Sequence, residues 1–323
     1  MALKLWIGCD NKEMTFDQIK VAVSSHSFAQ NQTLVEKLLR HFPAATFTNK
    51  TLRSEKDLAD FYQGAEAILV GKEIITDHVL KANPQIKVLS KYGVGLDNLN
   101  QELLENAGIS LLHSAGVNRN CVAELTLGMI LNLAHKISEL SNLLREGKWF
   151  REGGFDLANK TVGILGFGNV GTRLAEILVP FNVKILVVDI VDRREVCEKI
   201  GACQVELDEM LSQSQIVSLH VPLTDLTKNL VNASFIEKMR PSSLLINTSR
   251  GKVLCLEALE GALNSGKLAG AAVDVYPVEP PGLLEIMKIP NLITTPHIGG
   301  ASEDARLSMG SAAINNLLNF YRS

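Results

Sequence analysis

The stretch Thr161-Val162-Gly163-Ile164-Leu165-Gly166-Phe167-Gly168-Asn169-Val170-Gly171 decides the fold, because an apolar run leads straight into Gly-x-Gly-x-x-Gly and a helix-forming stretch from Thr172. In this context the first glycine permits a tight turn, and the second lets a pyrophosphate approach the backbone. The third allows close helix packing, while free N–H groups at the helix start bind the anion. The next run, Lys184 to Val188, delivers Asp189 eighteen residues after Gly171. A carboxylate there accepts hydrogen bonds from the adenosine ribose hydroxyls and repels a 2′-phosphate. Gly166, Gly168, Asn169, Val170, Gly171 and Asp189 are therefore expected to bind NAD. Arg193 and Arg194 could accommodate NADP, but the acid at the strand end should dominate.

Working outward, the same alternation of short β-branched runs and helical patterns occurs on both sides. Before the glycine turn, strands are expected at Ile19 to Val23, Thr46 to Thr48, Ala67 to Val70, Ile86 to Leu89 and Ile109 to Leu112. After it they are expected at Ile216 to Val221, Leu244 to Asn247, Ala269 to Val273 and Leu292 to Thr294. A long apolar-periodic segment, Val122 to about Leu144, reads as one helix joining two units, opened by Asn118 or Asn120 and closed near Gly147. The segment Ser302 to Tyr321 is again amphipathic. The pattern predicts an α/β protein with two doubly wound parallel sheets.

Composition agrees with two domains and narrows the partners. At 323 residues the chain exceeds what one core usually serves, and 46% of it is apolar. The 32 basic and 35 acidic residues are dispersed and sum to -3, which disfavours nucleic acid and anionic membranes and leaves a small molecule as the ligand. Five scattered cysteines, Cys9, Cys121, Cys197, Cys203 and Cys255, contain no C-x-x-C pair, so neither a disulfide framework nor a metal site is expected. No apolar run approaches membrane-spanning length and no leader pattern opens the chain, which predicts a cytoplasmic protein.

A second glycine turn, Gly93-Val94-Gly95, follows the strand Ile86 to Leu89 but lacks the third glycine. Asp97 and Asn98 read as caps of a helix from about Leu99 to Asn106, leaving the Val94 and Gly95 amides to hold a small anion such as a carboxylate. Read alone, this turn is equally a plain βα connection. Three further segments follow predicted strands: Asn247-Thr248-Ser249-Arg250-Gly251, Asp274-Val275-Tyr276-Pro277-Val278-Glu279-Pro280 and Thr295-Pro296-His297-Ile298-Gly299-Gly300. Strand exits of this kind form the ligand edge of an open α/β sheet. Hydride transfer from a hydroxy acid needs a cation for the carboxylate, a base for the hydroxyl proton and a group that fixes the base. Arg250, His297 and Glu279 fit these roles in turn, although each alone is more often structural than catalytic.

These motifs, in this order, resemble the D-isomer-specific 2-hydroxyacid dehydrogenases, and the likeness runs from about Ile19 to the C-terminus. It includes Tyr92-Gly93-Val94-Gly95-Leu96-Asp97-Asn98 and Val122-Ala123-Glu124-Leu125-Thr126-Leu127-Gly128. The resemblance implies that Arg250 pairs with the substrate carboxylate and its reacting oxygen, that His297 is the general acid/base, and that Glu279 hydrogen-bonds His297. It implies that Asp274 orients the nicotinamide carboxamide, and adds His220, Pro222, Thr248, Ser249 and Gly299 to the cofactor site. It further implies a Rossmann domain at 113–296 inserted into a flavodoxin-like substrate domain at 1–112 and 297–323, with a homodimer formed through the 122–144 region.

The motif set looks closest to the phosphoglycerate dehydrogenase branch, without its C-terminal regulatory domain, because of the Gly-Val-Gly-Leu-Asp-Asn loop and Ser218-Leu219-His220-Val221-Pro222-Leu223-Thr224. Substrate contacts are then expected from Lys91, Tyr92, Gly93, Val94, Gly95 and Arg250, with Lys91 as a phosphate-binding cation. After Val70, where such relatives often carry arginine, this chain has Gly71 and Lys72. A glyoxylate or hydroxypyruvate reductase is the nearest rival, and an NAD-sensing corepressor-like protein is the rival of another class. A formate dehydrogenase is disfavoured, since those relatives place an amide where Glu279 stands.

Overall fold

A computed structural model describes residues 16–323 except 53, 283–285 and 287. The chain divides into two compact units, one holding the stretch up to Val117 together with Arg306–Ser323, the other Asn118–Ala305. The crossings thus lie later than the positions 112 and 296 read from sequence, and His297 falls within the second unit.

The first unit contains a parallel sheet of β1 (Val21–Val23), β2 (Thr46–Phe47), β3 (Ala67–Val70), β4 (Val88–Lys91) and β5 (Ser110–Leu112), in the order β2-β1-β3-β4-β5. β1, β3 and β4 are buried along their whole length, which explains why β1 and β3 read as unbroken apolar runs rather than alternating ones, while β4 ends in the buried polar pair Ser90 and Lys91. Ala22, Ile68, Val70 and Leu89 pack with Leu58, Tyr62 and Leu104 from the covering helices. The Tyr62 hydroxyl enters this core because it donates to Ser24 Oγ at 2.7 Å. The helix after the Gly93 turn spans Gln101–Asn106, and its cap is Asn100, which accepts from Leu103 N. Asp97 and Asn98 are therefore not its caps. The Asn98 side chain instead donates to the carbonyls of Gly71 and Glu73, joining the ends of β3 and β4.

The second unit carries β6 (Thr161–Leu165), β7 (Lys184–Val188), β8 (Cys203–Gln204), β9 (Ile216–Leu219), β10 (Ser243–Asn247), β11 (Leu268–Val273) and β12 (Leu292–Thr294). Their order is β12-β11-β10-β9-β6-β7-β8, all parallel. β8, two residues long and partly exposed, has no apolar run to reveal it in sequence. Two apolar clusters cover the sheet, one built around Leu219, Leu245 and Leu259, the other around Ile130, Ile164 and Leu174.

The long helix expected between Val122 and Leu144 is two helices, Arg119–Ala134 and Ile137–Arg145. Lys136 between them is left-handed at φ 53°, and Asn132 grips the new helix start by accepting from Ser138 N and donating to Ser138 Oγ, both at 2.8 Å. The Ala134 carbonyl is taken by Phe155 N at 2.8 Å rather than by a continuing helix. Asn118 occupies the N-cap of the first helix without a side-chain capping bond. Among the described residues no helix is long and apolar enough to cross a membrane, and no His, Cys, Asp and Glu side chains cluster as a metal site.

Candidate active site

The strand order of the second unit reverses between β6 and β9, and open α/β sheets place their ligand crevice at the carboxyl ends flanking that reversal. The glycine turn leaves β6 at this point. Gly166 has φ 93°, and a Cβ on it would lie 2.7 Å from the His220 carbonyl carbon and oxygen, where the chain leaves β9. Gly171 sits against the Gly166 carbonyl, 2.1 Å from an added Cβ, which brings the helix Asn169–Leu178 close to the turn. That helix starts three residues before the expected Thr172. Gly168 faces open space, with nothing within 4 Å of an added Cβ. Among the described residues the N–H groups of Gly168, Asn169 and Val170 donate to no protein acceptor. An open glycine over unpaired helix N–H groups is a fitting cradle for a pyrophosphate.

Asp189 ends β7 beside this turn. Its Oδ2 accepts from Phe167 N at 2.7 Å and its Oδ1 from Val191 N at 2.9 Å, so the acid is locked to the glycine turn. His220 is bonded through Nε2 to Ser218 Oγ at 2.8 Å, and desolvation pushes its pKa down to about 3, keeping the ring neutral. Pro222 follows, its carbonyl accepting from Thr227 Oγ1 at 2.6 Å.

The exits of β10, β11 and β12 bring the three chemical segments together. Asn247, wholly buried, accepts from Ser249 N and Oγ and donates to the Arg250 carbonyl, which fixes the backbone that carries the guanidinium. Thr248 bonds Thr126 Oγ1 at 2.9 Å. Gly251 makes this approach possible, since a Cβ there would lie 1.9 Å from the Tyr276 carbonyl carbon.

Asp274 is 1% exposed, and its carboxylate clasps the next loop: Oδ1 accepts from Thr295 Oγ1 at 2.5 Å and Ile298 N at 2.8 Å, Oδ2 from Gly299 N at 2.8 Å. Sequence reading missed this role, because nothing local links Asp274 to residues 295–299. The clasp holds His297 in a left-handed conformation, φ 55°, whose cost of about 1 kcal/mol for a non-glycine residue must be met by such contacts. His297 Nδ1 faces Glu279, 2.8 Å from Oε1 and 2.7 Å from Oε2. A carboxylate accepting from Nδ1–H leaves Nε2 as the proton-accepting nitrogen of the neutral ring.

In the first unit, among the described residues, the N–H groups of Val94 and Gly95 donate to no protein acceptor, as an anion-binding turn requires. Tyr92 is buried edge-on against Phe28, with ring centroids 5.4 Å apart. Lys91 is buried too, and its ammonium points inward to the Gly71 carbonyl and to Asn98 Oδ1, the latter at 2.6 Å. It ties the ends of β3 and β4 together rather than presenting an exposed charge. Lys72, which follows Gly71, is exposed.

The profile of the family described as D-isomer specific 2-hydroxyacid dehydrogenase, NAD binding domain, matches residues 127–299. A glyoxylate reductase of Thermofilum pendens is 39% identical over 252 residues, covering 76% of this chain and 74% of the relative. A D-3-phosphoglycerate dehydrogenase of Synechocystis is 33% identical over 263 residues, covering 80% of this chain but only 48% of that longer protein. Among solved structures, a D-lactate dehydrogenase of Aquifex aeolicus in complex with NAD and lactic acid matches with TM-score 0.80 at 25% identity, over 94% of this chain and 95% of that one.

Proposed function

Because the chain belongs to the D-isomer specific 2-hydroxyacid dehydrogenases, we propose that Arg250, Glu279 and His297 carry its NAD-dependent chemistry, and that its substrate pair is D-3-phosphoglycerate and 3-phosphohydroxypyruvate. The observation that carries the catalytic assignment is the His297–Glu279 pair, 2.7 Å apart at the exits of neighbouring strands. In the oxidation direction His297 Nε2 takes the substrate hydroxyl proton while Nδ1 stays bonded to Glu279. Arg250 neutralises the developing charge on the oxygen and binds the carboxylate. NAD, when bound, supplies the hydride acceptor, its pyrophosphate on the N–H groups of Gly168 to Val170 and its adenosine ribose on Asp189. Asp274 acts by holding the His297 loop, and neutral His220 adds no cation to the cofactor site.

The phosphorylated substrate is supported by the Synechocystis relative and by the exposed Lys72. The inward-turned Lys91 favours the second reading, a glyoxylate or hydroxypyruvate reductase, for which a phosphate-binding cation is superfluous. Initial rates with NAD and 3-phosphoglycerate, and with NADH and phosphohydroxypyruvate, hydroxypyruvate and glyoxylate, separate the two. Inactivity on both phosphorylated acids sinks the first.

We further propose that a second copy of the chain covers the helix Ile137–Arg145 and the residues after it. That helix buries none of its side chains, and Ile137, Leu144, Trp149 and Phe150 are all more than half exposed, an apolar patch that a soluble monomer rarely leaves uncovered. Sedimentation should give a dimer that Trp149→Glu with Phe150→Glu splits; an unchanged sedimentation coefficient in that variant would refute the interface.

A further inference from the structure

Tyr276 lies where the exits of β10, β11 and β12 converge. It is 7% exposed and packs in the apolar cluster built around Leu219, Leu245 and Leu259. Its hydroxyl donates to the Thr295 carbonyl at 2.9 Å. His297 N donates to the same carbonyl at 3.0 Å across Pro296, so one oxygen ties the tyrosine to the turn that carries the imidazole. The backbone N–H of Tyr276 reaches toward Glu279 Oε1, 3.4 Å away. Its carbonyl carbon stands against Gly251, the residue after Arg250, where an added Cβ would lie 1.9 Å off. Asp274 grips the same loop through Thr295 Oγ1, Ile298 N and Gly299 N, and leaves the His297 N–H to the Thr295 carbonyl. The orientation of that carbonyl therefore sets where the imidazole points. Burial pushes the Tyr276 phenol pKa up, and the Asp274 carboxylate adds to the shift, so the hydroxyl stays protonated as a donor.

We propose that Tyr276 is a positioning residue for the reaction: its hydroxyl fixes the Thr295 carbonyl and through it the His297 turn, while its N–H steadies Glu279, so that one residue sets the register between the acid/base and its carboxylate partner. This rests on the reading of His297 and Glu279 as the reacting pair. The two Glu279 oxygens stand 2.8 and 2.7 Å from Nδ1, a contact that a small rotation of the turn would open. A neutral ring without a firm carboxylate partner divides its proton between its two nitrogens, and only the tautomer protonated on Nδ1 leaves Nε2 able to accept the substrate proton. Tyr276 thus acts on the fraction of enzyme that carries the productive tautomer, without touching the substrate.

Tyr276→Phe keeps the ring in the core and removes only the oxygen. Nitrogen NMR of isotope-labelled protein, at a pH where the imidazole is neutral and with the His297 signals identified by their loss in His297→Ala, reads the tautomer without turnover. The wild-type ring should carry its proton on Nδ1, and the Tyr276→Phe ring should show a mixture of both tautomers. With NADH and hydroxypyruvate or phosphohydroxypyruvate, whichever is turned over, kcat should fall about 3- to 10-fold, the net worth of one hydrogen bond, while KM and NADH affinity stay within about twofold. Tyr62→Phe removes a comparable buried hydroxyl bond, to Ser24 at 2.7 Å, and should lower Tm while leaving the tautomer and kcat as in wild type. An unchanged tautomer in folded Tyr276→Phe protein overturns the proposal, as does a Tyr62→Phe protein whose His297 signals move equally. A mixed tautomer with unaltered kcat would uphold the positioning of the ring and refute His297 as the acid/base instead.

Discussion

Two glycines two residues apart should fail in opposite ways when given the same methyl group. In Gly166→Ala the Cβ would lie 2.7 Å from the His220 carbonyl carbon and oxygen and 2.9 Å from Val221 N, all backbone atoms that no rotamer change can move. The residue also keeps φ 93°, a conformation that costs an alanine about 1–2 kcal/mol. Overpacking of this kind adds about 1–3 kcal/mol, so the total is roughly 2–5 kcal/mol. For a unit of this size each kcal/mol lowers Tm by about 2–4 °C, which predicts a fall of roughly 4–20 °C. In Gly168→Ala the Cβ meets nothing within 4 Å, and the backbone, φ -81° and ψ -156°, suits alanine. Its Tm should stay within about 2 °C of wild type, in keeping with a surface change. The methyl would instead occupy the approach to the helix N–H groups, and NAD affinity should fall about tenfold or more. Scanning calorimetry without cofactor and titration with NAD read the two effects separately. A Gly168→Ala protein that binds NAD as wild type does, or melts as early as Gly166→Ala, would refute this division of the turn.

Three further outcomes follow from the site. His297→Ala should lower turnover by about 10²-fold or more while leaving NAD affinity nearly intact, and Glu279→Gln should also lower it, because an amide can turn its NH2 toward Nδ1 and disturb the tautomer; steady-state kinetics with parallel cofactor titration check both. His220 is protonated near pH 6.5 when unfolded but only near 3 when folded, so the unfolded chain binds the extra proton between those values. Stability should therefore be whole above pH 6.5 and fall with acidification at up to about 1.4 kcal/mol per pH unit, and a His220→Asn protein should show a shallower dependence of Tm on pH in that window. Lys91→Ala should leave Asn98 Oδ1 without its ammonium donor and the Gly71 carbonyl with the Asn98 amide in place of the ammonium, and destabilise the first unit by about 1–3 kcal/mol; a stable variant with weakened binding of phosphorylated acids only would mean that Lys91 serves the substrate instead.

Most strands were legible in the sequence because they are short, β-branched and buried, and β3, β6, β7 and β12 begin and end where the apolar runs do. The helix through Val122 was not, because its periodicity continues past the left-handed Lys136, and the break is marked by through-space bonds, those of Asn132 to Ser138 and of Phe155 N to the Ala134 carbonyl. Asp97 and Asn98 look like caps by residue type, yet Asn100 is placed by the chain path to do that work.

By itself the sequence determined the two parallel α/β sheets, the glycine turn with its acid, and the residue types of the chemistry, since these are properties of neighbouring residues and their spacing. Tertiary structure alone decided that Glu279 faces Nδ1 of His297, that Asp274 clasps the loop that carries His297, and that Lys91 points inward to Asn98. Those facts depend on which strand ends lie side by side, and strand order is set by packing across the sheet rather than by any local pattern.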